Sequence, residues 1–300
     1  MDFTIPLKAK LRCKAMRFIK LTALSILIGL SACQGDDKDS VDSTPEAPTD
    51  IILRATSDIQ TPSPIKAASF VPNSVASWLG HIILLDDKGT LHRATTDSAD
   101  TDVVALGKYA DVIGLSREKK SGMFLALTPQ GQIKAFVQSD DEGNFGPMAV
   151  SIADMSFERF CPSSTPSSDF IWVKTTSKQS QKLSIETFED TSVTFSEIET
   201  SDGEVDPCKA NNALSLSKTQ TIKPDGASTG LILSSDGKTQ TVSITNGLSI
   251  GQVNDAGFVT VTTANMGSVF NEGVLLIAEK NEGRLVLISR AYALKEIASP

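Results

Sequence analysis

Five times between residues 81 and 288, the chain repeats one local pattern: a short apolar or β-branched run, a turn, and a second run that alternates. His81–Leu85 passes through Asp86-Asp87-Lys88-Gly89 into Thr90–Thr96, and Met123–Leu127 passes through Thr128-Pro129-Gln130-Gly131 into Gln132–Val137. Phe170–Lys174 and Lys182–Phe188 flank a turn at Thr175–Gln179, and Leu231–Leu233 and Thr239–Ile244 flank Ser234-Ser235-Asp236-Gly237. Val274–Ala278, Glu279–Gly283 and Arg284–Ile288 form the fifth. Each reads as a β-hairpin, because Gly, Asp and Ser supply the turn conformations that strands of this composition cannot. The turn centres, residues 89, 131, 179, 237 and 283, are 42, 48, 58 and 46 residues apart. A sandwich places turns about every 8–12 residues, whereas one hairpin per 40–60 is the period of a propeller blade. The expectation is an all-β fold, a β-propeller of about five to six four-stranded blades, complete or lacking part of the ring. An irregular β-sandwich is the competing arrangement. Apart from the N-terminal segment, no stretch longer than about eight residues carries a helical period.

Charge divides the chain. Residues 1–32 hold Lys8, Lys10, Arg12, Lys14, Arg17 and Lys20 against Asp2, although the whole chain is acidic, with 28 basic and 36 acidic side chains. An acidic surface repels polyanions, so nucleic acid is excluded as an expected partner. The basic head leads into an uncharged apolar run, Leu21–Ala32. Such a run covers about 18 Å as a helix, short of the roughly 30 Å hydrocarbon core, and reads as an export signal rather than a span. Met16-Arg17-Phe18-Ile19-Lys20 would serve as a basic region by itself, which leaves both Met1 and Met16 open as the start.

The run ends Leu30-Ser31-Ala32-Cys33, which resembles the lipobox of bacterial lipoproteins. That resemblance implies cleavage before Cys33, lipidation of its thiol and amino group, and a stable membrane anchor, since several acyl chains hold where one does not. Gln34 stands where an Asp would favour retention in the inner membrane, so the implied location is the outer membrane. Residues 33–50 form the lipidated Cys and an acidic tether: Asp36, Asp37, Asp39, Asp42, Glu46 and Asp50, with no aromatic residue, cannot bury a core. Residues 51–300 remain for the domain.

Of the chain's four cysteines, Cys13 lies in the signal and Cys33 at its end, leaving Cys161 and Cys208. In an exported protein two such thiols pair as a structural disulfide, and their wide spacing lacks the C-x-x-C character of a metal or redox pair. Two histidines in the whole chain, His81 and His92, exclude a multi-histidine zinc site. His92, beside Arg93 on an alternating strand, reads as surface or rim; Trp78 and Trp172 read as blade core.

Near the C-terminus stand Asp255-Ala256-Gly257-Phe258-Val259-Thr260-Val261-Thr262, Asn265-Met266-Gly267 and Phe270-Asn271-Glu272-Gly273-Val274-Leu275-Leu276-Ile277. This stretch resembles the final blade of the β-propeller phytases, which run D-G-I-x-V-T, L-G and F-P-x-G-L. Leu84-Leu85-Asp86-Asp87-Lys88-Gly89-Thr90-Leu91 is similar to that family's T-D-K-x-G-L strand, and Cys161 and Cys208 fall where the family has G-x-C and E-G-C. The resemblance implies a propeller that binds inositol phosphates, with Lys88 facing phosphate, and a ring of carboxylates holding calcium ions that neutralise phosphate and activate water. Some family members carry an incomplete propeller, which implies a protein partner that completes it.

The departures remove most of that chemistry. Asp206-Pro207-Cys208 replaces E-G-C, leaving Asp206 as a remnant metal ligand. Lys108-Tyr109-Ala110-Asp111-Val112-Ile113 stands for R-x-N-N-V-D without its final Asp, and Lys209-Ala210-Asn211-Asn212 replaces an acid-rich segment. Displacing a phosphate ester requires convergent acids for metal and convergent cations for the equatorial oxygens. Here the acids cluster in turns, as in Asp140-Asp141-Glu142-Gly143-Asn144 and Glu199–Asp206, which read as solvated loops. The expectation is a degenerate, non-catalytic binding or scaffold module with no catalytic residue and no cofactor, calcium entering only if activity persists. A calcium-dependent phytase and an unrelated β-rich envelope lipoprotein are the alternatives.

Overall fold

The hairpins legible in the sequence form the interior of larger sheets in a computed structural model of the chain. The structure describes residues 51–73, 76–105, 107–115, 122–139, 143–161, 169–188, 191–201, 208, 214–226, 230–247 and 250–298. Two strands come first, β1 (Ile51–Arg54) and β2 (Ser57–Gln60). Blade 1 is an antiparallel meander of β3 (Ile65–Val71), β4 (His81–Asp86), β5 (Leu91–Ala94) and β6 (Asp102–Ala105). Blade 2 repeats it with β7 (Asp111–Leu115), β8 (Met123–Leu127), β9 (Ile133–Gln138) and β10 (Phe145–Ser151), and blade 3 with β11 (Phe157–Phe160), β12 (Phe170–Thr175), β13 (Ser180–Phe188) and β14 (Ser192–Ser201). Blade 4 consists of β15 (Leu214–Ser215), β16 (Gln220–Pro224), β17 (Leu231–Ser235) and β18 (Lys238–Thr245). Blade 5 has β19 (Ala256–Thr262), β20 (Val274–Glu279) and β21 (Arg284–Ser289) from the C-terminal end, and takes its fourth strand, β2, from the N-terminal end. The fold is a five-bladed β-propeller.

Pairing of Ser57–Gln60 with Arg284–Leu287 ties the first strands of the domain to the last. Just upstream, β1 adds in parallel to the outer edge of blade 4, Ile51 opposite Val242. The outer strands of blades 2 and 3 also pair in parallel, β10 with β14, which joins the two blades into one eight-stranded sheet. Three turns between second and third strands share one geometry. Asp86, Thr128 and Thr175 each accept the N–H three residues on and donate to the carbonyl four on, and Gly89, Gly131 and Lys178 sit at φ of 80°, 80° and 70° in the left-handed region. The fourth legible hairpin differs. It is the third and fourth strands of its sheet, closed by Asp236-Gly237 at positive φ, which is why its turn breaks the spacing set by the others.

Alternation builds the core between blades. On β4, Ile82 and Leu84 face blade 5 in one cluster while Ile83 and Leu85 face blade 2 in another. On β8, Phe124 and Ala126 face blade 1, and Met123, Leu125 and Leu127 face blade 3. On β20, Leu275 and Ile277 face blade 4, and Val274, Leu276 and Ala278 face blade 1. Every residue of these three strands is buried, because a blade strand is covered on both faces. The four clusters fill the interfaces 1–2, 2–3, 4–5 and 5–1. Between blades 3 and 4 the described residues form no such cluster: β12 alternates buried Ile171 and Val173 with half-buried Phe170, Trp172 and Lys174. Cys161 and Cys208 bridge that seam as a disulfide, Cα atoms 4.7 Å apart. The expected pairing of these two cysteines holds.

Three expectations need correction. Trp78 is not blade core; it lies in a short 3-10 turn, Ser77–Leu79, and is 58% exposed. Trp172 is half-buried, facing the seam, with the Lys182 ammonium 5.9 Å from its ring and 4.3 Å from that of Phe170. A nine-residue helix, α1 (Arg290–Ala298), follows the last strand and packs Ala293 into the blade 4–5 core. Its Ala, Leu, Lys and Glu content favours a helix without amphipathic periodicity, which is why a pattern search passes over it.

Candidate functional site

The innermost strands of the blades, β3, β7, β11, β15 and β19, surround a central cavity of about 380 Å³, a size suited to a small ligand. A repeated irregularity shapes its mouth. In blade 1 Ile65 pairs with Asp86 and Ala67 with Leu85, so Lys66 is bulged out of register. Glu158 in blade 3 and Gly257 in blade 5 are bulged in the same way. A bulge re-aims the residue that follows it, and Ala67, Arg159 and Phe258 after the three bulges all line the cavity, joined by Asp111 from β7 and Leu214 from β15. Lys66 contributes to the same lining.

Asp111 is the most perturbed group there. Its Oδ2 accepts the N–H of Phe160 at 2.7 Å, from the neighbouring blade, and its Oδ1 accepts the N–H of Val112 at 2.8 Å. Burial pushes its pKa up to about 6; the two N–H groups and the charges of Arg159 and Lys66 pull the other way without cancelling it. Arg159 donates through Nη2 to the carbonyl of Cys208, so the disulfide and the cavity share a strand end. Lys66 is exposed, its Nζ 3.4 Å from the carbonyl of Tyr109. Blades 1 and 2 meet closely beneath this mouth: Ser69 Oγ accepts the N–H of Gly114 at 2.7 Å, and a Cβ on Gly114 would lie 2.1 Å from the Phe70 carbonyl oxygen.

A serine, a histidine and an aspartate do come together, but not at the cavity. Ser63 Oγ donates to Asp86 Oδ2 at 2.9 Å, His92 Nε2 lies 3.1 Å from the same oxygen, and the N–H of Thr90 donates to Oδ1 at 2.7 Å. Burial works against the carboxylate, yet these three partners together hold its pKa below the usual range. All three side chains are buried, at 7%, 3% and 3% exposure, which corrects the reading of His92 as surface or rim. In a nucleophilic triad the serine must reach the histidine. Here both address the aspartate, and the cluster locks a turn. His81, three residues along β4 from His92's partner Leu84, is buried edge-on to Phe145 with ring centroids 5.7 Å apart. Burial, then the charge of Arg93, lowers its pKa, so it stays neutral. The two histidines do not converge.

Blade 5 holds a partly buried ionic cluster. Arg284 reaches Asp58 on β2 at 3.2 Å and Glu279 at 3.1 Å, and donates to the carbonyls of Gln252 and Gly251. Glu279, 1% exposed, also accepts the N–H of Asn254 at 2.8 Å. The cluster joins the N-terminal strand to the blade it completes.

Lys88 is exposed in the turn after β4 and is not among the residues lining the cavity. Asp206 and Cys33 lie outside the described residues, as do Asp140, Asp141 and Glu142. Among the described residues no three His, Cys, Asp or Glu side chains are grouped to hold a metal, and no helix is long and apolar enough to cross a membrane. In the sequence Asp111 stands only within the altered Lys108–Ile113 motif, and no local pattern marks Arg159 or Lys66.

No protein-family model matches the chain, and no curated protein matches it. Solved structures do match. The chain is similar to YCF48 from Cyanidioschyzon merolae at 11% identity, over 70% of this chain and 64% of that one, with a TM-score of 0.29. It is similar to the N-terminal domain of Nup159 at 12% identity, over 69% and 62%, with a TM-score of 0.27. The β-propeller domain of Cps50 (Swd1) from Myceliophteria thermophila matches at 10% identity, over 76% and 70%, with a TM-score of 0.34. The chain thus spans 64% and 62% of the lengths of the first two, just under two thirds.

Proposed function

We propose that this protein is a lipid-anchored lipoprotein of the bacterial outer membrane whose propeller is a degenerate, phytase-like binding module without hydrolytic turnover. The observation that carries the binding role is the bulge-shaped mouth of the central cavity, where Asp111 and Arg159 from adjacent blades and Lys66 at the rim meet a lining of apolar side chains with the hydroxyls of Ser69 and Thr260. Both oxygens of Asp111 already accept a backbone N–H, so this carboxylate is fixed in place as a binding surface. A phosphate-ester hydrolase needs a nucleophile or an activated water with charge stabilisation around it; the buried Ser63, Asp86 and His92 are spent on one another. The anchor rests on the Leu30-Ser31-Ala32-Cys33 sequence.

Two measurements test the reading. Incubation of the purified protein with inositol hexakisphosphate, with calcium and with chelator, is expected to release no phosphate above buffer. Calcium-dependent turnover lost in Lys88→Ala would overturn the non-catalytic role. In cells, a labelled fatty acid is expected to be incorporated and to disappear in Cys33→Ala; an unlabelled native chain would remove the anchor.

A further inference from the structure

The cavity's chemistry narrows what it can hold, and the inference rests on the binding role just proposed. Arg159 lines the cavity and is tied by one Nη2 bond to the Cys208 carbonyl, and Lys66 stands at the rim. Opposed to these two cations is Asp111, so the mouth carries a single net positive charge when Asp111 is ionised. Around the charges stand the apolar side chains of Ala67 from the same strand as Lys66, Leu214 from blade 4 and Phe258 from blade 5, with the hydroxyls of Ser69 and Thr260 also in the lining.

A guanidinium fork recognises a planar carboxylate bidentately, while alanine, leucine and phenylalanine recognise only an apolar body. A polyphosphorylated ligand would bring several negative charges to a mouth with two cations, one of them exposed, and would leave the rest desolvated against aliphatic side chains at high cost. We infer that the central cavity binds a small organic monocarboxylate, its carboxylate on Arg159 with Lys66 completing the charge, and its apolar body between Ala67, Leu214 and Phe258. Asp111 sits beside that carboxylate, facing Arg159 from β11 and Lys66 from β3, with its pKa already raised to about 6. Protonation at mildly acidic pH removes the one repulsive charge, so the site favours the anion more as pH falls toward the ligand's own pKa.

Isothermal titration of the purified full-length chain with benzoate and octanoate tests this, with octylamine and inositol hexakisphosphate as comparison probes. Both carboxylates are expected to bind, octylamine not, and Arg159→Gln to weaken binding at least tenfold, with Arg159→Lys recovering part of it. Ala67→Leu, which projects three further carbons into the cavity and leaves every charge, is expected to weaken binding at least tenfold. Melting curves show whether each variant is folded, and a variant that fails to fold is replaced by the other. Binding of inositol hexakisphosphate in preference to both carboxylates would overturn the ligand class while keeping the binding module. Carboxylate binding indifferent to both Arg159→Gln and Ala67→Leu would overturn the site. Failure of every probe to bind would overturn this inference and withdraw the support the cavity lends to the binding role.

Discussion

Removing the Cys161–Cys208 disulfide is the perturbation that most directly probes how the ring is closed. Among the described residues, four of the five blade interfaces hold a hydrophobic cluster, and the fifth, between blades 3 and 4, holds the disulfide. The two cysteines are separated by 47 positions. In the chain-entropy model a loop of that length stabilises by about 4 kcal/mol through the unfolded state. The residues next to the bridge offer little to compensate: residues 162–168 read Pro-Ser-Ser-Thr-Pro-Ser-Ser, and among 202–207 and 209–213 the single large aliphatic side chain is Val205. Cys161→Ala combined with Cys208→Ala is therefore expected to lower stability by about 4 kcal/mol. With a urea dependence near 3 kcal/mol/M, the midpoint falls by more than about 1 M. The assay is urea unfolding of the native protein, the reduced native protein and the double variant, followed by tryptophan fluorescence. Because Trp172 lies on the seam and Trp78 is exposed elsewhere, the signal weights the region under test. Reduced protein and double variant are expected to unfold together, below the oxidised form. A midpoint within about 0.3 M of the native one, corresponding to less than ~1 kcal/mol, would refute the reasoning and mean that packing holds the seam.

Two further outcomes follow from single positions. Gly143 has φ of 80°, and a Cβ there would lie 2.1 Å from His81 Nε2. Gly143→Ala is expected to cost about 2 kcal/mol or more from backbone strain and steric overlap together, and an unchanged melting temperature would contradict the packing. Asp111 tests linkage: its folded pKa, about 6, lies above the ordinary carboxyl value, so its favourable contribution is full below pH ~4 and is lost as pH rises through about 6. Relative to the native protein, Asp111→Asn is therefore expected to gain stability between pH 4.5 and pH 7.5; a difference that does not change with pH would show that Asp111 titrates normally.

The elements legible in advance were those whose cause is local. Asp86 to Gly89 and Thr128 to Gly131 announce a turn by composition, and the β-branched runs beside them have few alternatives to a strand. The first and last strands of each blade were harder to see, because edge strands are short and polar: β15 has two residues, and β2 reads Ser-Asp-Ile-Gln. His92 was misplaced because alternation predicts one wet face, whereas a blade interior is covered on both. The candidate site was hidden for another reason. Asp111, Arg159 and Phe258 occupy comparable places on their strands, but the loops between blades differ in length, so no fixed spacing in the sequence connects them.

By itself, the sequence determined an all-β chain of repeated hairpins, the pairing of its two remaining cysteines, and a histidine count too low for a multi-histidine metal site. These depend on turn chemistry, strand propensity and counting, which act over a few residues or over the whole composition. The tertiary structure alone decided that there are five blades, that Ser57–Gln60 completes the last of them, and that three bulges turn an alanine, an arginine and a phenylalanine toward one cavity. Those outcomes depend on contacts between residues as much as 230 positions apart, such as Ser57 with Leu287. Their energy comes from burying both faces of each blade, and no local stretch of chain carries a signal of where its partner lies.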